Sequence, residues 1–125
     1  MPDEHAKLSP SDASRWTVCP AAIRLEAELG IEEEGSVYAL EGTLAHELSE
    51  IRARKEFGLS NTADTVLRLS LWGKRVKEQG FDKEEMEQHA EQYVGHLKRF
   101  KGEAPGSAIL IEQRVETGID HCWGT

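Results

Sequence analysis

The chain has 125 residues, 38% hydrophobic and 30% charged, which suits one globular domain with one core and excludes a disordered segment. With 23 acidic against 15 basic residues its formal net charge is −8, so a stand-alone phosphate-binding surface of lysines and arginines is not expected. Cys19 and Cys122 make no disulfide framework, no apolar run is long enough to span a bilayer, and MPDEHAKLSP lacks an apolar signal core; a cytoplasmic chain without membrane attachment is expected.

Ser9-Pro10-Ser11-Asp12 predicts a helix start, with a serine cap and proline at the first helical position. That helix carries Trp16 and Val18 and stops near Cys19-Pro20. A second short helix follows from Pro20 to Leu29, ended by Gly30. Glu32-Glu33-Glu34-Gly35 reads as a charged loop. From Ser36 to Phe57, Val37, Leu40, Leu44, Leu48 and Ile51 recur at three- and four-residue steps, a long amphipathic helix closed by Gly58. Thr62 to Glu78 repeats the pattern with Val66, Leu69, Trp72 and Val76. Asp82 to Lys101 opens on a capping box of Asp82 and Glu85 and carries a stripe of Met86, Ala90, Tyr93, Leu97 and Phe100. Lys98, Arg99 and Lys101 suit its C-terminal dipole, and Gly102 is its expected stop.

After the turn at Ala104-Pro105-Gly106, AILIEQRV (108–115) is β-branched and partly alternating, and predicts a strand. The tail ETGIDHCWGT turns into a second. The fold class is therefore α+β and predominantly α-helical, four to five helices followed by one or two β-strands. It is read as a single domain, 1–125, with a helical region (1–103) and a β segment (104–125). A lone strand would need a partner from the tail, another copy or further sequence, so homo-oligomerisation through an exposed sheet edge is one expectation.

The stretch EGTLAHELSE (41–50) places Gly42 inside a helix, where glycine costs about 1 kcal/mol relative to alanine. Ala39, Gly42, His46, Ser49 and Ala53 share one helical line beside the main apolar stripe. These small residues predict a close approach by another backbone or sheet, with an imidazole on the same face. His46 is then either a hydrogen-bonded histidine at a helix–sheet contact or a metal ligand or general base. Only Glu50 joins it on that face, too few donors for a closed metal site.

Three blocks, LSPSDASRWTVCPAAIRL (8–25), ALEGTLAHELSEIRARK (39–55) and AILIEQRVETGIDHCWGT (108–125), resemble in order the phage-encoded RecB-like branch of the PD-(D/E)xK nucleases, related to AddB and CRISPR-associated exonucleases. The resemblance implies metal-dependent DNA hydrolysis, with Mg or Mn as cofactor, DNA as partner and His46, in Gly-x-x-x-His, as a metal ligand. It implies that the last block leads to the catalytic aspartate. The pattern then calls for an aspartate soon after Gly124-Thr125 and a strand carrying an acid and a lysine, neither of which lies within the 125 residues. The expectation is an incomplete nuclease core, truncated and inactive on DNA as it stands. Glu112 is the remaining acidic candidate, or else a solvent-facing strand residue.

Relatives of this kind carry an early cysteine that joins three late ones on an iron–sulfur cluster. Cys19 matches the early position as a vestigial cluster ligand. Without the late set the cluster is not expected here, and the residue reads as a buried thiol. No cofactor is expected in this chain. The alternative function is an acidic phage-type inhibitor, anti-CRISPR or anti-defence, that binds a basic nucleic-acid-binding protein. Eight glutamates and no lysine or arginine lie between Leu25 and Ile51, and Glu32, Glu33 and Glu34 would make the contact. His89 and His96, and the clusters Arg52, Arg54, Lys55 and Lys74, Arg75, Lys77, read as solvated helix flanks, and His5 as part of a mobile terminus.

Overall fold

In a computed structural model that describes residues 6–31 and 35–124, Ser36 caps the longest stretch of apolar periodicity by accepting from the Ala39 amide at 3.1 Å. The helix it opens, α3, runs Val37–Glu56 and buries Leu44, Leu48, Ile51 and Ala53. It stops where Gly58 takes a φ of 67°, which lets the Leu59 amide reach back to the Arg54 carbonyl at 2.8 Å. Helix α4 (Thr62–Gln79) is capped by Asn61, and α5 (Lys83–Glu103) by Asp82, which accepts from the Glu85 amide at 3.1 Å. The described residues make a mostly helical α+β chain: five helices in all, α1 (Ala13–Val18) and α2 (Ala21–Leu29) preceding these three, then a two-stranded antiparallel sheet.

The chain divides into two compact units, residues 35–111 and residues 1–34 with 112–125. This division cuts across the element order of a helical region 1–103 followed by a β segment 104–125.

In the 35–111 unit α3 packs against both α4 and α5. Its main core joins Leu44, Leu48 and Ile51 of α3 to Trp72 and Val76 of α4 and Met86 and Ala90 of α5. Each such burial is worth about 1.5–3 kcal/mol for a large aliphatic or aromatic side chain. Trp72 also donates its indole N–H to the Leu44 carbonyl at 2.8 Å, so its one polar atom is satisfied inside. A second cluster of Ala53, Val94 and Ile111 takes in Phe57, Leu97 and Ile109 at its edge.

Two stripes are rotated from those the periodicity predicts. On α4 the inner position belongs to Thr65, and Val66 is exposed. A threonine goes inside without penalty because its hydroxyl donates to the Asn61 carbonyl at 3.0 Å and meets the Ser60 hydroxyl. On α5 the inner face runs through Met86, Ala90 and Val94, leaving Tyr93 and Phe100 exposed. Helix α5 also passes the expected stop at Gly102. It ends at Ala104, which precedes Pro105 and is driven to φ −132° and ψ 67°, outside helical space.

The other unit holds a 3-10 turn (Pro10–Asp12), α1, α2 and the hairpin of β1 (Val115–Ile119) and β2 (Cys122–Gly124). Ser9 is extended as a cap should be, yet its side chain makes no cap hydrogen bond; its carbonyl instead accepts the Trp16 indole N–H at 2.8 Å. The strand predicted at 108–115 forms later, at 115–119. Ile109 and Ile111 join the helical core, and the Ile111 carbonyl accepts from Arg54 Nη2 at 2.8 Å rather than from a strand. Glu112 then adopts φ 49°, which breaks any extended run before Val115. Asp120 and His121 turn the hairpin, and the pairing is irregular between Glu116 and Ile119. The early segment closes on this hairpin, with the Leu8 amide donating to the His121 carbonyl at 3.0 Å and the 3-10 turn against β2.

Candidate functional site

The sequence points first to α3, which carries Gly42 and His46 one turn apart. His46 is exposed. A side chain added at Gly42 would meet nothing within 4 Å, so among the described residues no other backbone approaches there. The predicted close contact along Ala39, Gly42, His46, Ser49 and Ala53 is realised at its far end alone: Ala39 and Gly42 are exposed, Ser49 is half-buried, and Ala53 is buried. What Gly42 leaves is an open cleft of about 260 Å³ between α3 and α5, bordered by Tyr38, Glu41, Ala45, Glu85, Met86 and His89. That is below the range of about 300–1,000 Å³ typical of small-molecule sites.

Among the described residues no three His, Cys, Asp or Glu side chains gather closely enough to hold a metal ion. The described donors by themselves therefore do not make a divalent-metal site. Nor do they fit an iron–sulfur cluster, which needs about four ligands. The chain's two cysteines are both free, and they differ in surroundings: Cys122 is buried on β2, whereas Cys19 is exposed at the end of α1, contrary to the expected buried thiol. Glu112 is half-buried and follows the core residue Ile111 in a left-handed conformation, so it is not a strand residue. Glu32, Glu33, Glu34 and His5 lie outside the described residues. His89 and His96 are exposed on α5, as expected of a helix flank.

The charged feature with the most built geometry lies at the carboxylate that helical spacing set on the face of His46, but it is buried while His46 is exposed. Glu50, 4% exposed, accepts from Arg54 Nε at 3.0 Å, and Arg68 Nη2 of α4 lies 3.6 Å from the same oxygen. Arg54 passes the connection on to the Ile111 carbonyl. One buried carboxylate thus ties α3, α4 and the segment after α5. Burial alone would push the Glu50 carboxyl up; the Arg54 hydrogen bond and the Arg68 charge are among the interactions that act against it, and the net direction is below the ordinary glutamate value. The expected solvated cluster of Arg52, Arg54 and Lys55 is therefore split: Arg54 turns inward, while Arg52 pairs with Glu87 at 3.7 Å on the surface. The sequence signal available was the Glu50–Arg54 spacing of four, in the favoured order along a helix.

Two larger clefts are charged and crossed by ion pairs. Between α3 and α5 a cleft of about 690 Å³ contains the Arg52–Glu87 pair and a Lys98–Glu56 pair at 3.0 Å. Between α3 and α4 a cleft of about 500 Å³ is crossed by an ion pair between Arg75 and Glu47. No described helix is long and apolar enough to cross a membrane.

The described residues form a three-helix unit held by a carboxylate–arginine lock, and a second unit of two short helices and a hairpin. Residues 5–125 match the model of the family described as Protein of unknown function (DUF2800), and the chain belongs to that family. No solved structure matches the chain.

Proposed function

We propose that the chain supplies the helical part and first hairpin of a RecB-like PD-(D/E)xK nuclease module of phage type, and that its described residues alone do not hydrolyse DNA. One observation carries this reading. The first and last resembling blocks, residues 8–25 and 108–125, are far apart in sequence, yet Leu8 and the Pro10 turn meet β2 in a single unit. That unit leaves Leu25, Leu29, Val115 and Ile119 exposed, which suits the opening portion of a larger sheet and its flanking helices. In this reading His46 contributes one imidazole to a site for Mg or Mn, and the carboxylates come from residues other than those described.

The test has a genetic and a biochemical arm. The gene following the Thr125 codon is read for an in-frame aspartate and a strand with acid-x-lysine; their absence overturns the proposal. The 125-residue chain is then compared with the extended product on linear duplex DNA with Mg or Mn. The expected result is cleavage by the extended protein alone, lost on His46→Ala. An extended protein that does not cut, or that cuts equally well with His46→Ala, refutes the assignment.

A further inference from the structure

Helix α4 carries a second, exposed apolar face among the described residues, at whose edge Leu71 and Lys74 border the cleft crossed by Arg75 and Glu47. Opposite the buried Thr65, Trp72 and Val76, the residues Asp64, Leu67, Leu71 and Lys74 recur at steps of three and four, the spacing of an antiparallel or parallel helix seam. Leu67 is 59% exposed and Leu71 54% exposed, on a helix with ordinary caps and no break. The arginines beside this seam are committed within the fold, Arg68 to Glu50 and Arg75 to Glu47.

The seam is complementary to itself. Its two leucines sit at the centre, and the ends are of opposite sign: Asp64 lies three residues before Leu67, and Lys74 three residues after Leu71. We propose that α4 pairs antiparallel with α4 of a second copy, about a two-fold axis midway between Leu67 and Leu71. In that register Leu67 meets Leu71 of the other copy and Asp64 meets its Lys74, twice over by symmetry. A parallel pairing in register would set aspartate beside aspartate and lysine beside lysine, so the charges select direction as well as partner. Antiparallel packing also opposes the two helix dipoles favourably. The surface is small, with two leucines from each copy, which fits a reversible dimer with a dissociation constant between about 1 µM and about 1 mM. This inference is independent of the nuclease reading.

Sedimentation velocity of the 125-residue chain across that concentration range tests it. The expected result is a monomer–dimer equilibrium that Leu67→Glu with Leu71→Glu abolishes, while the circular dichroism spectrum stays that of the parent. A second set of variants avoids the leucines. Asp64→Lys alone, or Lys74→Asp alone, weakens the dimer by roughly tenfold. Combining both restores it to within about twofold. A chain that stays monomeric throughout overturns the proposal. So does a dimer indifferent to the leucine changes, or a combined charge exchange no stronger than the single variants.

Discussion

The two units draw on similar apolar residues and use them in opposite ways. The 35–111 unit closes three helices of 18 to 21 residues around Leu44, Leu48, Ile51, Trp72, Val76, Met86 and Ala90. The other unit holds Val18, Leu25, Leu29, Val115 and Ile119, all exposed, and among its described residues Cys122 is the one that is buried. Composition does not separate them; geometry does. Helices of six and nine residues are too short to persist without packing, and a two-stranded ribbon is marginal by itself. A core needs two layers that each present a whole face. Here α3 offers faces to α4 and α5 at once, whereas the hairpin offers β1 with no buried residue at all.

The contrast breaks most directly at Trp72. Trp72→Ala removes the largest fully buried side chain of the core and the hydrogen bond to Leu44, and should cost about 3–5 kcal/mol in urea unfolding followed by the helical signal. A loss below about 1 kcal/mol would mean that the three-helix unit is not where the stability resides.

The Glu50 lock ranks next. Glu50→Gln leaves Arg54 and Arg68 without their carboxylate and should cost about 1–3 kcal/mol at neutral pH. The sign of the pH dependence follows from the lowered carboxyl. A group held lower in the folded state than in the unfolded chain stabilises above its unfolded value, about 4.3 for glutamate, and loses that contribution as pH falls through the folded value. Urea midpoints measured from pH 7 down to about pH 2 should therefore drop in acid, and the drop should be smaller in Glu50→Gln. An identical acid profile in both proteins would show that Glu50 is not held as described.

A finer comparison sets one helix start against another. Asp82 accepts a backbone amide, so Asp82→Ala should cost about 1 kcal/mol. Ser9 has the cap's residue type and extended backbone without the bond, so Ser9→Ala should leave the same unfolding midpoint within error. Equal losses at the two positions would place the 3-10 turn on the same footing as α5.

Much of this was legible beforehand, and the failures have physical causes. The ends of α2 and α3 followed from Gly30 and Gly58, because such features act within one turn of chain, and the extent of α4 followed from its apolar spacing. Which residue of an apolar pair faces inward was not legible: the Thr65 hydroxyl is satisfied locally by Asn61 and Ser60, but that Thr65 rather than Val66 is buried follows from how α4 packs on α3 and α5. The strand at 108–115 was misplaced because β-branched Ile109 and Ile111 suit a helix-packed core as well as a sheet. Glu50 and Arg54 were readable as a helical pair, but the third member, Arg68, comes from another helix and needed the fold.

The smallest effect concerns the residue whose presence in α3 is least explained by packing. Gly42 is exposed in a helix interior, and an added side chain meets nothing within 4 Å. Helix formation there costs glycine backbone entropy that alanine avoids, so Gly42→Ala should stabilise the chain by about 0.5–1 kcal/mol, read from the urea midpoint. A packing role predicts the reverse sign, because a methyl group would then displace whatever lies against the helix. If the stabilised variant, built into the extended protein, also loses metal-dependent cleavage, the glycine is kept for access to the cleft between α3 and α5 rather than for the fold. If stability falls instead, something approaches α3 at Gly42, and the open face described for this helix is wrong.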